Sequence, residues 1–287
     1  MKKAMALVLT IALMSFSPAF AQGAVNGPLV RSYNGASLNW SGYAVSIPDV
    51  KSVNGTFTVP TVSGPGSVGG FPADVSVWVG IDGYTSNTVE QIGISGSFDS
   101  STSTASYSAW WELYPRVSNT IHGVTVSAGD TITASVEYLG GGSFNLSIQD
   151  STSGQSFSIV ARAPVNGPDA AQRNSAEWVV ERAATIYKGY LTILPLATFS
   201  PAVTFSGESF TAGGNTHTLQ YAVDNFVQYA GYPTAAPSQP YWEQMYIVGT
   251  TSTSTAYVPL DSTSSVSSNS FTVTFVDNGE PLILFRI

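Results

Sequence analysis

The sequence predicts an all-β protein, a sandwich or barrel of short strands, and three observations carry that prediction. Runs of Val, Ile, Thr, Tyr, Phe and Trp recur from Trp40 to Phe205, Gly, Ser, Pro and Asn punctuate them, and no long amphipathic helix interrupts them. In chain order, strands are expected at Val53 to Val59, Val75 to Ile81, Val89 to Ile94, Ser106 to Tyr114, Thr131 to Leu139, Phe144 to Ile148, Phe157 to Ala161 and Ala176 to Val180. Leu219 to Tyr229 is the exception, because Leu219, Val223, Phe226 and Tyr229 fit either one helical face or an irregular strand. Beyond it, Gly231 to Pro240 reads as a Pro-rich loop, and Thr250 to Thr255 and Asp261 to Ser270 as Ser/Thr-rich connections between the last strands. With no repeat and no long linker, Asn39 to Ile287 is expected to form one domain, preceded by a short segment from Gln22 to Leu38.

The amino end has a different character. Met1-Lys2-Lys3 is followed by an apolar stretch from Ala4 to Phe16 and by Ala19-Phe20-Ala21, a small-x-small cleavage pattern. Residues 1–21 therefore read as a secretory signal, too short for a membrane span, and predict a secreted protein with no membrane anchor in its mature form. Removing Lys2 and Lys3 leaves eight Lys and Arg against 18 Asp and Glu, a formal charge of −10. That balance argues against nucleic acid or anionic membranes as partners. It also suits an acidic medium, where carboxylates lose their charge and few cations remain to repel one another. The absence of cysteine excludes disulfides, a thiol nucleophile and Cys-based metal sites, so stability must come from the core.

Alternation assigns faces to the strands. Trp78, Gly80 and Asp82 share one side, opposite Val75, Val77, Val79 and Ile81, and the valine side is expected in the core. Ser108, Trp110, Glu112 and Tyr114 share a side opposite Ala109, Trp111 and Leu113; Gln91 lies with Val89 and Gly93, opposite Glu90, Ile92 and Ile94. Glu177, within Ser175-Ala176-Glu177-Trp178-Val179-Val180-Glu181, shares its side with Val179 and Glu181. A carboxylate in a run of apolar strand residues is costly unless paired, hydrogen-bonded or protonated, and only 10% of the chain is charged. Several strands can thus offer polar and aromatic groups to one concave face.

Common hydrolase signatures are missing: Gly-x-Ser-x-Gly, His-Glu-x-x-His, Asp-Thr-Gly or Asp-Ser-Gly, and a Walker loop. His122 and His217 lie in no recognisable triad context, and Asp82-Gly83 reads as a turn pair. Carboxylates, amides and aromatics remain.

Six ordered motifs then stand out: Asn39-Trp40-Ser41-Gly42-Tyr43-Ala44-Val45, Thr56-Phe57-Thr58-Val59-Pro60, Trp78-Val79-Gly80-Ile81-Asp82-Gly83, Glu90-Gln91-Ile92-Gly93, Ala109-Trp110-Trp111-Glu112-Leu113-Tyr114-Pro115 and Asn174-Ser175-Ala176-Glu177-Trp178. In this order the sequence resembles the glutamic peptidases, or eqolisins. The resemblance implies a secreted acid endopeptidase acting on proteins or peptides, on a sandwich of two antiparallel sheets, a concanavalin- or lectin-like jelly roll with a concave active face. It assigns the catalytic pair to Gln91 and Glu177 and the cleft lining to Trp40, Trp78, Glu112 and Tyr114, with no metal and no cofactor; a monomer is expected. The chain departs from the fungal pattern in lacking cysteines, in carrying Ser108 where Asp is usual, in the Arg182-Ala183 pair after Glu181, and in the short stretch before the first motif.

The chemistry of those residue types agrees. Peptide hydrolysis without a nucleophilic side chain needs a base for water, donors for the oxyanion and an acid for the leaving nitrogen. One carboxyl can be base and then acid, and a glutamine amide can donate to the oxyanion. Glu112 is open to three roles: a charge acting on Glu177, a substrate contact or a salt-bridge partner. Two other functions fit the same aromatics and carboxylates: a carbohydrate-binding or lectin-like module, and a glycoside hydrolase using Glu112 and Glu177.

Overall fold

A computed structural model describes residues 24–25, 35–187, 190–229 and 238–286. The expected signal segment, and the loop of Gly231 to Pro240 apart from its last three residues, lie outside them.

Two antiparallel sheets make the sandwich. The first runs in the order Asn119–Thr120, Thr104–Tyr114, Val89–Asp99, Asp74–Ile81, Ser175–Glu181, Trp40–Ser46, Tyr241–Thr251 and Ala36–Ser37. The second runs Ser156–Arg162, Ser143–Asp150, Thr131–Gly140, Val50–Thr58, Val203–Ala212, Ser270–Phe275 and Asp261–Thr263. Two short strands, Ala36–Ser37 and Val227–Gln228, pair in parallel with Tyr241–Thr251, and an isolated parallel bridge joins Asp74 to Leu196. A smaller sheet joins Ala24–Val25, Ala184–Tyr187, Tyr190–Ile193 and Leu282–Arg286.

Period-2 alternation decides what faces the core, and the expected valine side does so. Val75, Val77, Val79 and Ile81, with Ile92, Ile94, Leu113, Ala176, Trp178 and Val180 of the first sheet, meet Val53, Phe57, Ile132, Val136, Leu146, Phe205 and Phe210 of the second. Each fully buried aliphatic or aromatic side chain contributes about 1.5–3 kcal/mol of transfer free energy. Trp178 is the pin of this layer. Its indole Nε1 donates to the Asn54 carbonyl across the sandwich at 2.8 Å, and its ring lies over Gly55, where a Cβ would come within 2.8 Å of Cδ1. Because Trp178 points inward, Glu177 and Val179 must point out to the other face.

Three segments sharpen the sequence reading, and the third, the strand at Asp261–Thr263 where a connection was expected, departs from it. Only Leu219–Asn225 is helical; Thr218 caps it, its side chain accepting from Tyr221 N at 3.0 Å, and Phe226 turns extended so that Val227–Gln228 can pair with Tyr241–Trp242. Thr250 to Thr255 is the tip of a hairpin in which Thr251 pairs with Ser254. Asp261–Thr263 is a strand paired with Val273–Phe275, and the buried Asp261 carboxylate accepts the Ile247 N–H at 2.8 Å, which lets a polar residue sit there.

Gly55→Ala should destabilise the fold by about 1–3 kcal/mol through overpacking against Trp178. A urea midpoint unchanged from wild type would contradict this account of the Trp178–Gly55 contact.

Candidate active site

Register across the first sheet places Glu112 opposite Gln91, Gln91 opposite Gly80, Gly80 opposite Glu177, Glu177 opposite Ala44 and Ala44 opposite Glu243. These six positions form one row across the outer face, drawn from strands far apart in the chain. Gln91 and Glu177 stand two strands apart, roughly 10 Å between Cα atoms at the usual strand spacing. The intervening residue is a glycine. A Cβ on Gly80 would meet Cζ3 of Trp78 at 2.9 Å and Cβ of Gln91 at 3.3 Å, so the indole of Trp78 occupies the space between the two polar side chains.

A second apolar cluster surrounds this row, distinct from the sandwich core: Trp40, Ala44, Trp78, Tyr84, Val89, Trp110, Val179, Tyr241 and Met245, with Tyr114 packed against it. Trp40 meets Trp78 edge-on at 4.8 Å between ring centroids, a favourable quadrupolar geometry. Trp78 Nε1 donates to Glu181 at 2.8 Å, and Asn39 Nδ2 reaches the other oxygen of the same carboxyl at 3.4 Å. The structure thus brings together all six residues singled out from the sequence. Gln91, Glu112, Glu177, Trp40 and Trp78 are buried in it, and Tyr114 is half-buried.

Burial dominates the electrostatics. Neither oxygen of Glu177 meets a donor in good hydrogen-bond geometry. Desolvation therefore pushes its pKa well above the usual carboxyl range; the nearby Ser175 hydroxyl and Tyr84 backbone N–H pull the other way, and the negative charge of Asp82 adds to the rise. Glu112 is raised in the same manner by burial and then by Glu181, against the hydrogen bond that Gln91 Nε2 donates to it at 2.8 Å. Glu181 is raised by burial despite its indole and amide donors. Among the described residues none of these three carboxyls pairs with Lys or Arg, since the ion pair there joins Arg173 to Asp49 at 3.1 Å.

Sequence reasoning left several neighbours without a role. Glu181 anchors Trp78, and Glu243 closes the row, its carboxylate accepting from the Tyr84 hydroxyl. Asp82 is a turn residue as expected, with φ 71°, but its carboxylate also accepts backbone N–H groups from Gln172, Arg173 and Asn174 at 2.7–2.9 Å. Glu90 lies on the core side of its strand without exposed surface. A signal for it existed: a glutamate at an inward position of an alternating strand. His217 stacks on Tyr221 at 4.4 Å, away from the row. Among the described residues no group of three or more His, Asp or Glu could hold a metal ion.

The two-sheet β-sandwich is also the fold of the glutamic peptidases. The chain belongs to that family, and is a glutamic-type endopeptidase: residues 38–236 match the Peptidase A4 family. It is 33% identical over 187 residues to scytalidopepsin B of Scytalidium lignicola, covering 64% of this chain and 67% of that one. It is 31% identical over 208 residues to aspergillopepsin-2 of Aspergillus niger, covering 67% and 70%. The crystal structure of scytalido-glutamic peptidase with a transition state analog inhibitor superposes with a TM-score of 0.64 at 26% identity, over 83% of this chain and 98% of that one.

The raised carboxyls carry a stability consequence. A group that keeps its proton in the folded state but not in the unfolded state holds the fold most firmly below its unfolded pKa, and that contribution fades as pH rises toward the folded pKa. Glu112, Glu177 and Glu181 are such groups, as are Asp74 and Asp261, each pushed up to about 7 by burial. Resistance to urea should therefore fall from pH 4 to pH 7. A midpoint that rises over this range would refute it.

Proposed function

We propose that this protein is a secreted, acid-active endopeptidase in which Glu177 and Gln91 act as a pair. Glu177 takes a proton from water as the water attacks the scissile carbonyl, then returns it to the leaving nitrogen. The Gln91 amide donates to the developing oxyanion. The observation that carries this reading is the register Gln91–Gly80–Glu177, which sets a carboxyl and an amide on either side of a residue without a side chain.

Glu112 supports the pair by holding the amide of Gln91 at 2.8 Å, which fixes its rotamer. Trp78 forms the floor between the pair, Trp40 buttresses Trp78, and Tyr114 stands at the border next to Glu112, where a peptide side chain would lie. No cofactor is required, because water is the nucleophile and one carboxyl moves the proton both ways. Secretion rests on the amino-terminal segment 1–21, and the deficit of cations in the mature chain supports an acidic place of work.

A glycoside hydrolase using Glu112 and Glu177 is less well supported. Three strand spacings, roughly 14 Å between Cα atoms, separate them. Glu112 is also turned onto Gln91. A lectin-like module accounts for the aromatics but leaves a desolvated Glu177 beside an oriented amide without purpose.

Digestion of an acid-denatured protein with wild type and variants side by side tests the assignment. Glu177→Gln should lose about a thousandfold or more of kcat, and Gln91→Ala about a hundred- to a thousandfold. Glu112→Gln, which can still hydrogen-bond the amide, should stay within about tenfold. Equal damage from Glu112→Gln and Glu177→Gln, with a mild Gln91→Ala, would select the glycosidase reading. Turnover should be higher in acid than at neutrality, where loss of the Glu112 and Glu181 protons gathers anions around the pair; equal rates at pH 4 and pH 7 would sink the mechanism.

A further inference from the structure

Behind the row lies a second pair of carboxyls for which the mechanism has no use. Asp82 and Glu90 have no exposed surface, and the register Ile81 opposite Glu90 sets them side by side where two neighbouring strands end. Each carboxyl acts on the other electrostatically, and Asp82 follows directly on the residue paired with Glu90. Two carboxylate anions offer only acceptors, so this contact becomes a hydrogen bond only when one of them carries a proton. The environment decides which. Asp82 receives three backbone N–H groups: Oδ2 from Gln172 at 2.8 Å and Arg173 at 2.7 Å, Oδ1 from Asn174 at 2.9 Å. Glu90 receives no donor in good geometry among the described residues. Burial raises the Asp82 carboxyl too, but three donors counter that rise whereas Glu90 has the charge of Asp82 added to its own burial, so the proton rests on Glu90.

Among the described residues no cation pairs with either carboxyl. The charged groups facing Glu90 are Asp82 and Glu177; those facing Asp82 are Glu90 and Glu177. Arg173, whose backbone N–H binds Asp82, directs its guanidinium to Asp49 at 3.1 Å and over the ring of Tyr138 at 4.2 Å. The chain path gives the pair its reach. Glu90 immediately precedes Gln91. Asp82 begins the turn that delivers the Tyr84 N–H toward Glu177, and it ties down residues 172–174, which lead directly into the Ser175–Glu181 strand; its own N–H donates to the Ser175 carbonyl at 3.1 Å.

We propose that Asp82 and Glu90 are positioning residues for the active pair, a one-proton carboxyl clamp that joins the strand carrying Gln91 to the segment that launches Glu177. The inference rests on the Gln91 and Glu177 assignment. With one proton shared, the clamp is closed and carries one negative charge. Loss of that proton leaves two buried anions side by side next to Glu177, which drives the turn and residues 172–174 apart. Burial and the charge of Asp82 hold the Glu90 carboxyl neutral well above the usual range, so the clamp is closed in acid and opens as the medium approaches neutrality.

Two variants separate this role from simple packing. Glu90→Gln keeps a donor for Asp82 but has no proton to lose. Glu90→Leu abolishes the hydrogen bond, yet places an apolar side chain opposite Ile81 and Leu113 and should fold at least as firmly as wild type. The experiment measures kcat and KM from pH 2.5 to 7 for wild type, both Glu90 variants and Glu177→Gln, with urea unfolding across the same range. Glu90→Leu is expected to lose about tenfold or more in kcat with KM little changed, while staying folded. Glu90→Gln is expected to restore most of that loss in acid, to shift the alkaline limb upward by about one pH unit and to flatten the fall of the urea midpoint between pH 5 and 7.

A folded Glu90→Leu with wild-type kcat, or a Glu90→Gln whose alkaline limb and urea profile both follow wild type, would overturn the clamp. Activity retained by Glu177→Gln would instead overturn the catalytic assignment, and the urea profile of Glu90→Gln would still report on the shared proton by itself.

Discussion

Backbone pairing in the first sheet is the constraint on which everything else depends. One register, running through Thr104–Tyr114, Val89–Asp99, Asp74–Ile81, Ser175–Glu181, Trp40–Ser46 and Tyr241–Thr251, aligns Glu112, Gln91, Gly80, Glu177, Ala44 and Glu243. A slip of one residue in any strand would send its side chain to the opposite face and its apolar neighbours into the row. The register is held from the other side of the sheet. Val77, Val79, Ile92, Ile94, Trp178 and Val180 are locked into the sandwich core, and Trp178 is bonded across it to Asn54. The packing that stabilises the fold and the alignment that makes the site are therefore one set of contacts seen from two faces.

Desolvation is the second thread. Carboxyls at Glu112, Glu177 and Glu181 are taken out of water without cations, which is unfavourable to their anions and nearly neutral to their acids. A protein built this way is most comfortable where those groups hold their protons. Its overall composition points the same way, since acid strips charge from 18 Asp and Glu and leaves few cations.

Much of this was legible in the strand pattern. The alternation of Val75, Val77 and Val79 assigned Trp78 and Gly80 to the outer face correctly, and the same rule placed Gln91, Glu112 and Glu177 with them. Where the reading fell short, tertiary contacts overrode local pattern. The periodicity of Leu219 to Tyr229 broke at Phe226, because Val227–Gln228 gain a partner in Tyr241–Trp242. Asp261 resembled a loop residue until the Ile247 N–H gave its carboxylate a buried donor. Asp82-Gly83 was a turn by chemistry, yet the three N–H groups that converge on Asp82 come from residues 172–174, about ninety positions away.

The sequence by itself determined which residues face which side of each strand, since a period of two is a property of the extended chain and needs no neighbours. It also determined, through ordered motifs, the family and the candidate pair. Only the tertiary structure decided which outward residues become neighbours, because that depends on strand order and register, set by contacts between segments as distant as Trp40–Ser46 and Tyr241–Thr251. It alone brought Glu90 to Asp82, Trp78 over Gly80 and Glu112 onto Gln91. Proximity across strands, and the loss of water that follows from it, are written in no local stretch of the chain.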